Sequence, residues 1–442
     1  MEISRRDVLI SLGVGSAAWP LSRAPAGPRE NVRPRPLRLG LIGAGSRGKE
    51  LVRQFERVPV GQGEGQGQGS VRFVAACDVY QPRFAELGGI ARGPVESYTD
   101  YRKLLERRDL DAVAIATPIY LHRDHVVAAL DAGFPVYGEK SFGHTVADSD
   151  AILAAVERNK RPFQVGHQYR YATWFRTAVD RINAGAIGKV TQVQAFWHRN
   201  SSWRRPVPAG PDGKVDLALD RLINWRLYRA YSGGLLAELG SHATDFANWV
   251  FQSMPESVVG AGGIDYYKDG RETHDNVKAM FRYPGGQTFI FSALTSNSHM
   301  GFQVLVHGDK GSIMLSQDEA VFMVEKHLAD AYFKRAAGGG KPARPRTRRL
   351  RDATDSVTGA SYRPGTETPG SPQVAQIWRD RTGPHADVTH DACRAFCQTL
   401  REGTPVFADA RVGWASATSV ALANLAVDQG RRVDFKDYLK KT

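Results

Sequence analysis

The feature that most constrains this chain is a glycine string set between two hydrophobic patterns of different period. Residues 37–42 are a short apolar run of strand length, and they lead directly into Gly43, Ala44, Gly45, Ser46, Arg47 and Gly48. A helical pattern over 49–58 follows without a break. A strand that turns through glycines into a helix offers the free amides of the helix to an anion, and it lets a pyrophosphate come close to the backbone. Such a string recurs by chance, so its surroundings must carry the reading. A second apolar run, 71–77, ends at Asp78. A carboxylate there can accept both ribose hydroxyls and repel a 2′-phosphate, which favours NAD, while Arg47 leaves NADP as the lesser choice. Gly48 and Asp78 are 30 positions apart, but 61–69 is an alternating glycine island that reads as a loop insertion. Without those nine residues the interval is 21, close to the roughly 20 expected for a dinucleotide fold.

The alternation continues with a helix near 101–107, a strand at 112–116, a helix at 122–132, a strand at 135–138, a helix at 146–159 and a strand at 162–165. Strands alternating with helices imply a doubly wound parallel sheet, so 37–166 is expected to be an α/β Rossmann domain that binds NAD. A chain of 442 residues exceeds what one core usually serves, and the rhythm changes at His167. Strand-like runs occur at 190–197, 258–262, 277–283, 287–294, 303–307 and 312–315, with Pro284-Gly285-Gly286 as a hairpin signal. Helical patterns recur at 243–250, 388–400 and 412–427. Residues 167–442 are therefore expected to form an α+β domain whose large, mainly antiparallel sheet is a meander. That domain should carry substrate specificity, and its open sheet suits a homo-oligomer, dimer or tetramer.

Outside these domains, Ser4-Arg5-Arg6-Asp7-Val8-Leu9, a weakly apolar run over 10–19 and Ala24-Pro25-Ala26 resemble a twin-arginine export signal. Residues 1–36 then read as signal and linker, with cleavage after Ala26 and a periplasmic destination. No run reaches the roughly 18 apolar residues of a spanning helix, so no membrane partner is expected after cleavage. Only Cys77, Cys393 and Cys397 are present, too few for a disulfide framework. Cys393 and Cys397, four apart on a helix, read as buried thiols, and His385 and His390 as the start of that helix, so no metal is expected. The formal charge of +13 is local, because eight cations between Lys334 and Arg351 have no acid among them. Glycines and prolines interrupt that stretch, and no aromatic platform accompanies the basic residues 341–351, so it reads as a solvated loop and no nucleic-acid partner is expected.

Two further segments bear on chemistry: Gly138-Glu139-Lys140-Ser141 at a strand end, and Gly233-Gly234-Leu235-Leu236-Ala237-Glu238-Leu239-Gly240-Ser241-His242-Ala243-Thr244-Asp245. With Gly43 to Gly48, Thr117-Pro118 and Gly166-His167-Gln168, they resemble the glucose-fructose oxidoreductase, inositol dehydrogenase and MocA family, from Leu37 to Phe435. The resemblance implies that Lys140 lies beside the nicotinamide and that Glu238 and His242 face it from the second domain. It implies cofactor contacts at Gly43, Gly45, Ser46, Arg47, Gly48, Asp78, Thr117, Pro118, His122, Glu139, Lys140 and His167. The family pattern is broken at Ser141, where proline is usual, and at Ile119, where asparagine is frequent.

Oxidising a carbinol needs a base for the hydroxyl proton while hydride leaves for the nicotinamide. His242 has a suitable intrinsic pKa, Lys140 can stabilise an alkoxide or relay the proton, and the choice of base stays open. Glu238 would orient the imidazole or hold a substrate hydroxyl, although Gly233, Gly234 and Gly240 favour an irregular loop there. Substrate contacts are read by position at Tyr169, Arg170, His198, Arg199, Asn200 and Trp225. The expected activity is NAD-dependent oxidation of a sugar, glycoside or cyclitol. An exported enzyme has no free cofactor pool, so a redox-neutral glycoside hydrolase or sugar-sugar oxidoreductase with tightly held NAD is the alternative, and a non-catalytic sugar-binding protein the third possibility.

Overall fold

A computed structural model describes residues 35–59, 71–325, 374–381 and 387–439. The export signal, the 61–69 insertion, the basic loop and His385 lie outside the described residues.

Strands β1 (Leu37–Ile42), β2 (Val71–Cys77), β3 (Glu96–Tyr98), β4 (Ala112–Ile115), β5 (Val136–Gly138) and β6 (Phe163–Val165) form a parallel sheet in the order β3-β2-β1-β4-β5-β6. This is the doubly wound order whose switch point lies between β1 and β4. β4 is buried at all four positions, as a central strand covered on both faces must be. The helix after the glycines runs over Ser46–Glu56, starting three residues earlier than the apolar pattern indicates. Its Phe55 packs edge-on against Phe73, Tyr137 and Phe396.

Phe396 belongs to the helix Val388–Glu402, so the segment read as the second domain returns to complete the first core. Cys393 and Cys397 on that helix are buried and unbridged. The next helix, Ala410–Gln429, joins both cores, with Ala417 in the first and Leu422, Ala423 and Ala426 in the second. At 1.5 Å per residue it spans about 30 Å, and it holds the two domains at a fixed separation. Asp409 caps its start by accepting from the Val412 amide, and Gly430, at φ 59, ends it.

The second sheet has nine strands. They are β7 (Val190–His198), β8 (Ser257–Gly263), β9 (Asn276–Arg282), β10 (Thr288–Leu294), β11 (Phe302–Gly308), β12 (Gly311–Leu315), β13 (Glu319–Glu325), β14 (Val374–Arg381) and β15 (Val433–Asp434), in the order β14-β13-β12-β11-β7-β10-β9-β8-β15. The expected meander is corrected here, because β7 lies between β11 and β10 and runs parallel to β10. Residues 199–256 separate β7 from the next strand, long enough for the crossover that a parallel pair requires. Pro284-Gly285-Gly286 does close the β9–β10 hairpin, with Gly286 at φ 83.

Candidate active site

A cleft of about 860 Å³ opens between the domains, above the carboxyl ends of β1, β4 and β5. Its floor is the glycine turn. Gly43 has φ 97, and a Cβ there would lie 2.7 Å from the Ala116 carbonyl carbon, so the turn itself demands glycine. At Gly48 a Cβ would come within 2.0 Å of the Gly43 oxygen. Gly48 therefore seats the helix against β1 and does not line the cleft.

Gly45 is different. Its φ of −67 suits any residue, and an added Cβ would meet no protein atom within 4 Å. No described residue needs that side chain removed, whereas a ligand lying on the turn would. The helix starting at Ser46 has no side-chain cap and no acid in its first turn. Its free amides and the positive end of its dipole fit the pyrophosphate of a dinucleotide.

Asp78, at the end of β2, is buried and faces the cleft. Its carboxylate accepts from the Ala44 amide at 2.8 Å, from the Tyr80 amide at 2.9 Å and from Arg83 at 3.0 Å. Arg47 turns the other way, donating to Glu139 at 2.8 Å and to Thr389 at 3.1 Å. Three strand spacings separate β2 from β5, roughly 14 Å. Arg47 is thus not beside Asp78, and the structural basis for an NADP option at that residue falls away. Thr117, Pro118 and Ile119 line the cleft after β4.

His122 and His167 do not line it. The buried His122 ring lies between the Ser141 carbonyl at 2.7 Å and the Thr117 carbonyl at 2.9 Å, so it ties together the loops after β5 and β4. Burial holds its pKa down against the pull of those two carbonyls. His167 bonds to Ser416 Oγ at 2.7 Å and supports the ring of His242 from behind, centroid to centroid 5.6 Å.

At the catalytic end, Lys140 leaves β5 and crosses to the second domain. Its Nζ donates to the Glu238 carbonyl at 2.9 Å and lies 3.8 Å from Glu238 Oε2. The Lys140–Ser141 peptide is cis. The loop expected around Gly233, Gly234 and Gly240 is instead helical. Gly234, at φ 58, precedes a π-turn over Leu236–Gly240 that continues into the helix Ser241–Phe251. Gly240 is needed because a Cβ there would press on the Phe291 ring at 3.0 Å, so it lets this helix lie on β10.

Glu238 and His242 share that helix without touching. The Glu238 carboxylate is taken by Arg226 at 2.6 Å. Burial raises the pKa of Glu238, but the charges of Arg226 and Lys140 overcome it and bring the value down to about 2. His242 is enclosed by Tyr169, Trp197 and His167, and its Nδ1 has no partner among the described residues. Burial, with the Lys140 charge second, drives its pKa well below the usual imidazole value, so the ring is neutral. Burial likewise lowers Lys140, against the raising effect of Glu238.

Of the substrate residues read by position, Tyr169, Arg199 and Trp225 line the cleft. Tyr169 stacks on Phe302, and Arg199 lies over the rings of Trp197 and Trp203. Arg170, His198 and Asn200 are corrected. Arg170 and Tyr169 share a tight 3₁₀ turn that points successive side chains apart, and Arg170 is buried in a two-pronged pair with Asp245 at 2.8 and 2.9 Å. His198 follows Trp197 on β7, and strand alternation sends it to the other face, where it meets the His299 carbonyl and Ser292. Asn200 is exposed in an isolated bridge to Ser296.

Residues that sequence reasoning missed are Arg226, Arg205, Arg83, Trp197 and Gln317, all lining the cleft. Trp197 alone carried a signal, as the alternation partner of His198. Among the described residues no group of three His, Cys, Asp or Glu side chains is placed to hold a metal, and no helix is long and apolar enough to cross a membrane.

Two family signatures match the chain: "Oxidoreductase family, NAD-binding Rossmann fold" over residues 37–167, and "GFO/IDH/MocA C-terminal domain" over 175–314. Levoglucosan dehydrogenase of Pseudarthrobacter phenanthrenivorans is 24% identical over 307 residues, 64% of this chain and 74% of that protein. The 2,7-anhydro-N-acetylneuraminate hydratase of Mediterraneibacter gnavus is 30% identical over 220 residues, 49% of this chain and 54% of that protein, so the match spans about half of it. The solved structure of a levoglucosan dehydrogenase with NADH and levoglucosan superposes with a TM-score of 0.67 at 18% identity, covering 91% of this chain and all of that one. At that identity the superposition establishes the fold.

Proposed function

The chain belongs to the GFO/IDH/MocA family of NAD-binding oxidoreductases, and from that premise we propose that it moves hydride between NAD and a hydroxyl-bearing carbon of a sugar, glycoside or cyclitol. One observation carries this: Lys140 of the first domain and Glu238 of the second meet, with 2.9 Å from Nζ to a carbonyl, in a cleft also lined by His242. Tyr169, Trp225 and Arg199 suit a polyol, offering aromatic faces and donors to hydroxyl groups.

Lys140 is the proton carrier in this proposal. Burial favours its neutral amine, which accepts the carbinol proton as hydride departs, and Glu238 then stabilises the ammonium that forms. His242 stays neutral because burial, and after it the neighbouring positive charges, oppose its protonation, and it orients the hydroxyl by hydrogen bonding. Residues 43–46 would hold the pyrophosphate of NAD and Asp78 its adenosine ribose, and the bound nicotinamide would accept the hydride.

A second reading, redox-neutral turnover with NAD held captive, is favoured by Arg205, which reaches across the cleft to Ser46 at 2.8 Å. A family relative named as a hydratase, a reaction without net oxidation, agrees with it. Export by the signal read at Ser4 to Leu9 would make such capture necessary, and self-association through the open nine-stranded sheet is part of the same proposal. The test is a single-turnover experiment in which NAD-loaded protein is mixed with a panel of sugars, glycosides and cyclitols, following the near-ultraviolet band of reduced nicotinamide. A lasting rise supports net oxidation, and a transient rise with product formation supports the redox-neutral course. No rise and no product with any member would overturn both.

A further inference from the structure

Residues 204 and 205 are adjacent arginines with opposite surroundings. Arg204 is neutralised within its own domain, donating to Asp220 at 3.0 Å and to the Asp269 carbonyl at 2.7 Å. Arg205 has no carboxylate partner among the described residues. Its main chain is held on both sides by the side chain of the buried Asn224, which accepts from the Arg205 amide at 2.7 Å and donates to its carbonyl at 3.0 Å. Asn224 is in turn tied to Asp220 at 2.8 Å. The point from which the Arg205 side chain departs is therefore fixed by the second domain.

From that anchor the guanidinium crosses the cleft and donates from Nη1 to Ser46 Oγ at 2.8 Å, in the first turn of the helix that follows the glycine string. One hydroxyl is a poor match for a group with five donors in a planar fork. Loss of hydration first, and then the charges of Arg226 and Arg83, lower the Arg205 pKa, although those two arginines are themselves paired with Glu238 and Asp78. An exposed guanidinium with one hydroxyl partner, beside an uncapped helix start and the open space at Gly45, is placed to take an anion.

We infer that Arg205 is a cross-domain clamp on the pyrophosphate of NAD, reaching from the second domain to the start of the phosphate-binding helix and slowing release of the cofactor. Arg205 acts on the cofactor alone, so the inference is independent of which sugar is turned over and of whether turnover is redox-neutral. A charge-assisted contact to phosphate makes retention weaker by roughly ten- to a hundredfold when removed.

The experiment compares the full chain with Arg205→Met, Arg205→Lys and, as a control, Arg204→Met. Thermal melts of nucleotide-free protein report folding, and stopped-flow displacement reports release of NAD, with ADP and adenosine as competing probes. Arg205→Met should keep the melting temperature, release NAD at least tenfold faster, and weaken ADP as much as NAD while leaving adenosine unchanged. Arg205→Lys should recover part of the loss, because it restores the charge without the fork. Release of NAD at the parent rate from Arg205→Met, or an equal loss for adenosine, would overturn the inference. Should Arg205→Met melt early, the ADP-to-adenosine ratio of Arg205→Lys decides on the same terms.

Discussion

The two ends of the cleft are built in different ways. The floor of the pyrophosphate end is one unbroken stretch, Gly43 to Ser46, whose backbone conformation is local, and one side chain, Arg205, reaches it from the second domain. The catalytic end joins Lys140 to Glu238, 98 positions away, and depends on the helix Ala410–Gln429 to keep the two domains in place. A site made of contiguous backbone survives small movements between domains. A site assembled across them does not, and its chemistry follows from which side chains the packing leaves facing one another.

The largest expected effect breaks that comparison at its catalytic end. Lys140→Met should lower kcat by roughly 10²- to 10⁴-fold while titration of NAD by intrinsic fluorescence stays close to the parent value. Retained turnover would remove Lys140 from the chemistry. Next in size, Arg170→Met leaves Asp245 charged and unpaired in the interior, at a cost of about 3–5 kcal/mol. Denaturant unfolding should show that loss, with KM for the sugar unchanged. A normal unfolding curve with a raised KM would return Arg170 to the substrate site.

At the other end, two glycines separate fold from ligand. Gly48→Ala pushes a methyl into the Gly43 carbonyl and should destabilise the nucleotide-free protein by about 1–3 kcal/mol. The Cβ of Gly45→Ala meets no described atom within 4 Å, so its apo melting temperature should hold while NAD binding, measured calorimetrically, falls by about an order of magnitude. If both variants melt early, the turn is structural throughout.

The smallest effects are in pH. Oxidation needs neutral Lys140, so kcat/KM should rise with pH along a limb below the ordinary lysine value of 10.5. Glu238 favours the ammonium, so Glu238→Gln should move that limb to lower pH. The Glu238 carboxylate is depressed from 4.5 to about 2. Its contribution to stability is present above pH 4.5 and is lost as pH falls towards 2. Acid unfolding of Glu238→Gln should lack that component, and an unchanged limb together with unchanged acid unfolding would detach Glu238 from Lys140.

Much of the fold was legible. The six Rossmann strands follow in order from the alternation, except β3, three residues long and too exposed to leave a pattern. In the second domain most strands could be read but not their order, because the place of β7 between β10 and β11 depends on contacts between residues 96 to 118 positions apart. At the site, Lys140, Glu238 and His242 were legible as a set from the family resemblance, but the partnership between Glu238 and His242 was not. Arg226 takes the carboxylate instead, and no local pattern announces it. Gly240 misled as a loop signal because its reason, the Phe291 ring beneath it, is distant in sequence. Arg170 and His198 misled because residue type does not say which way a side chain points.

The sequence by itself determined the Rossmann domain, the anion-binding turn and the acid that ends β2, since these rest on local backbone conformation and short-range periodicity. Only the tertiary structure decided that Glu238 pairs with Arg226, that His242 is a neutral enclosed ring, and that Arg205 reaches Ser46. Those are interactions between groups 12 to 159 positions apart, and their energies depend on burial and distance, which exist only once the chain has folded.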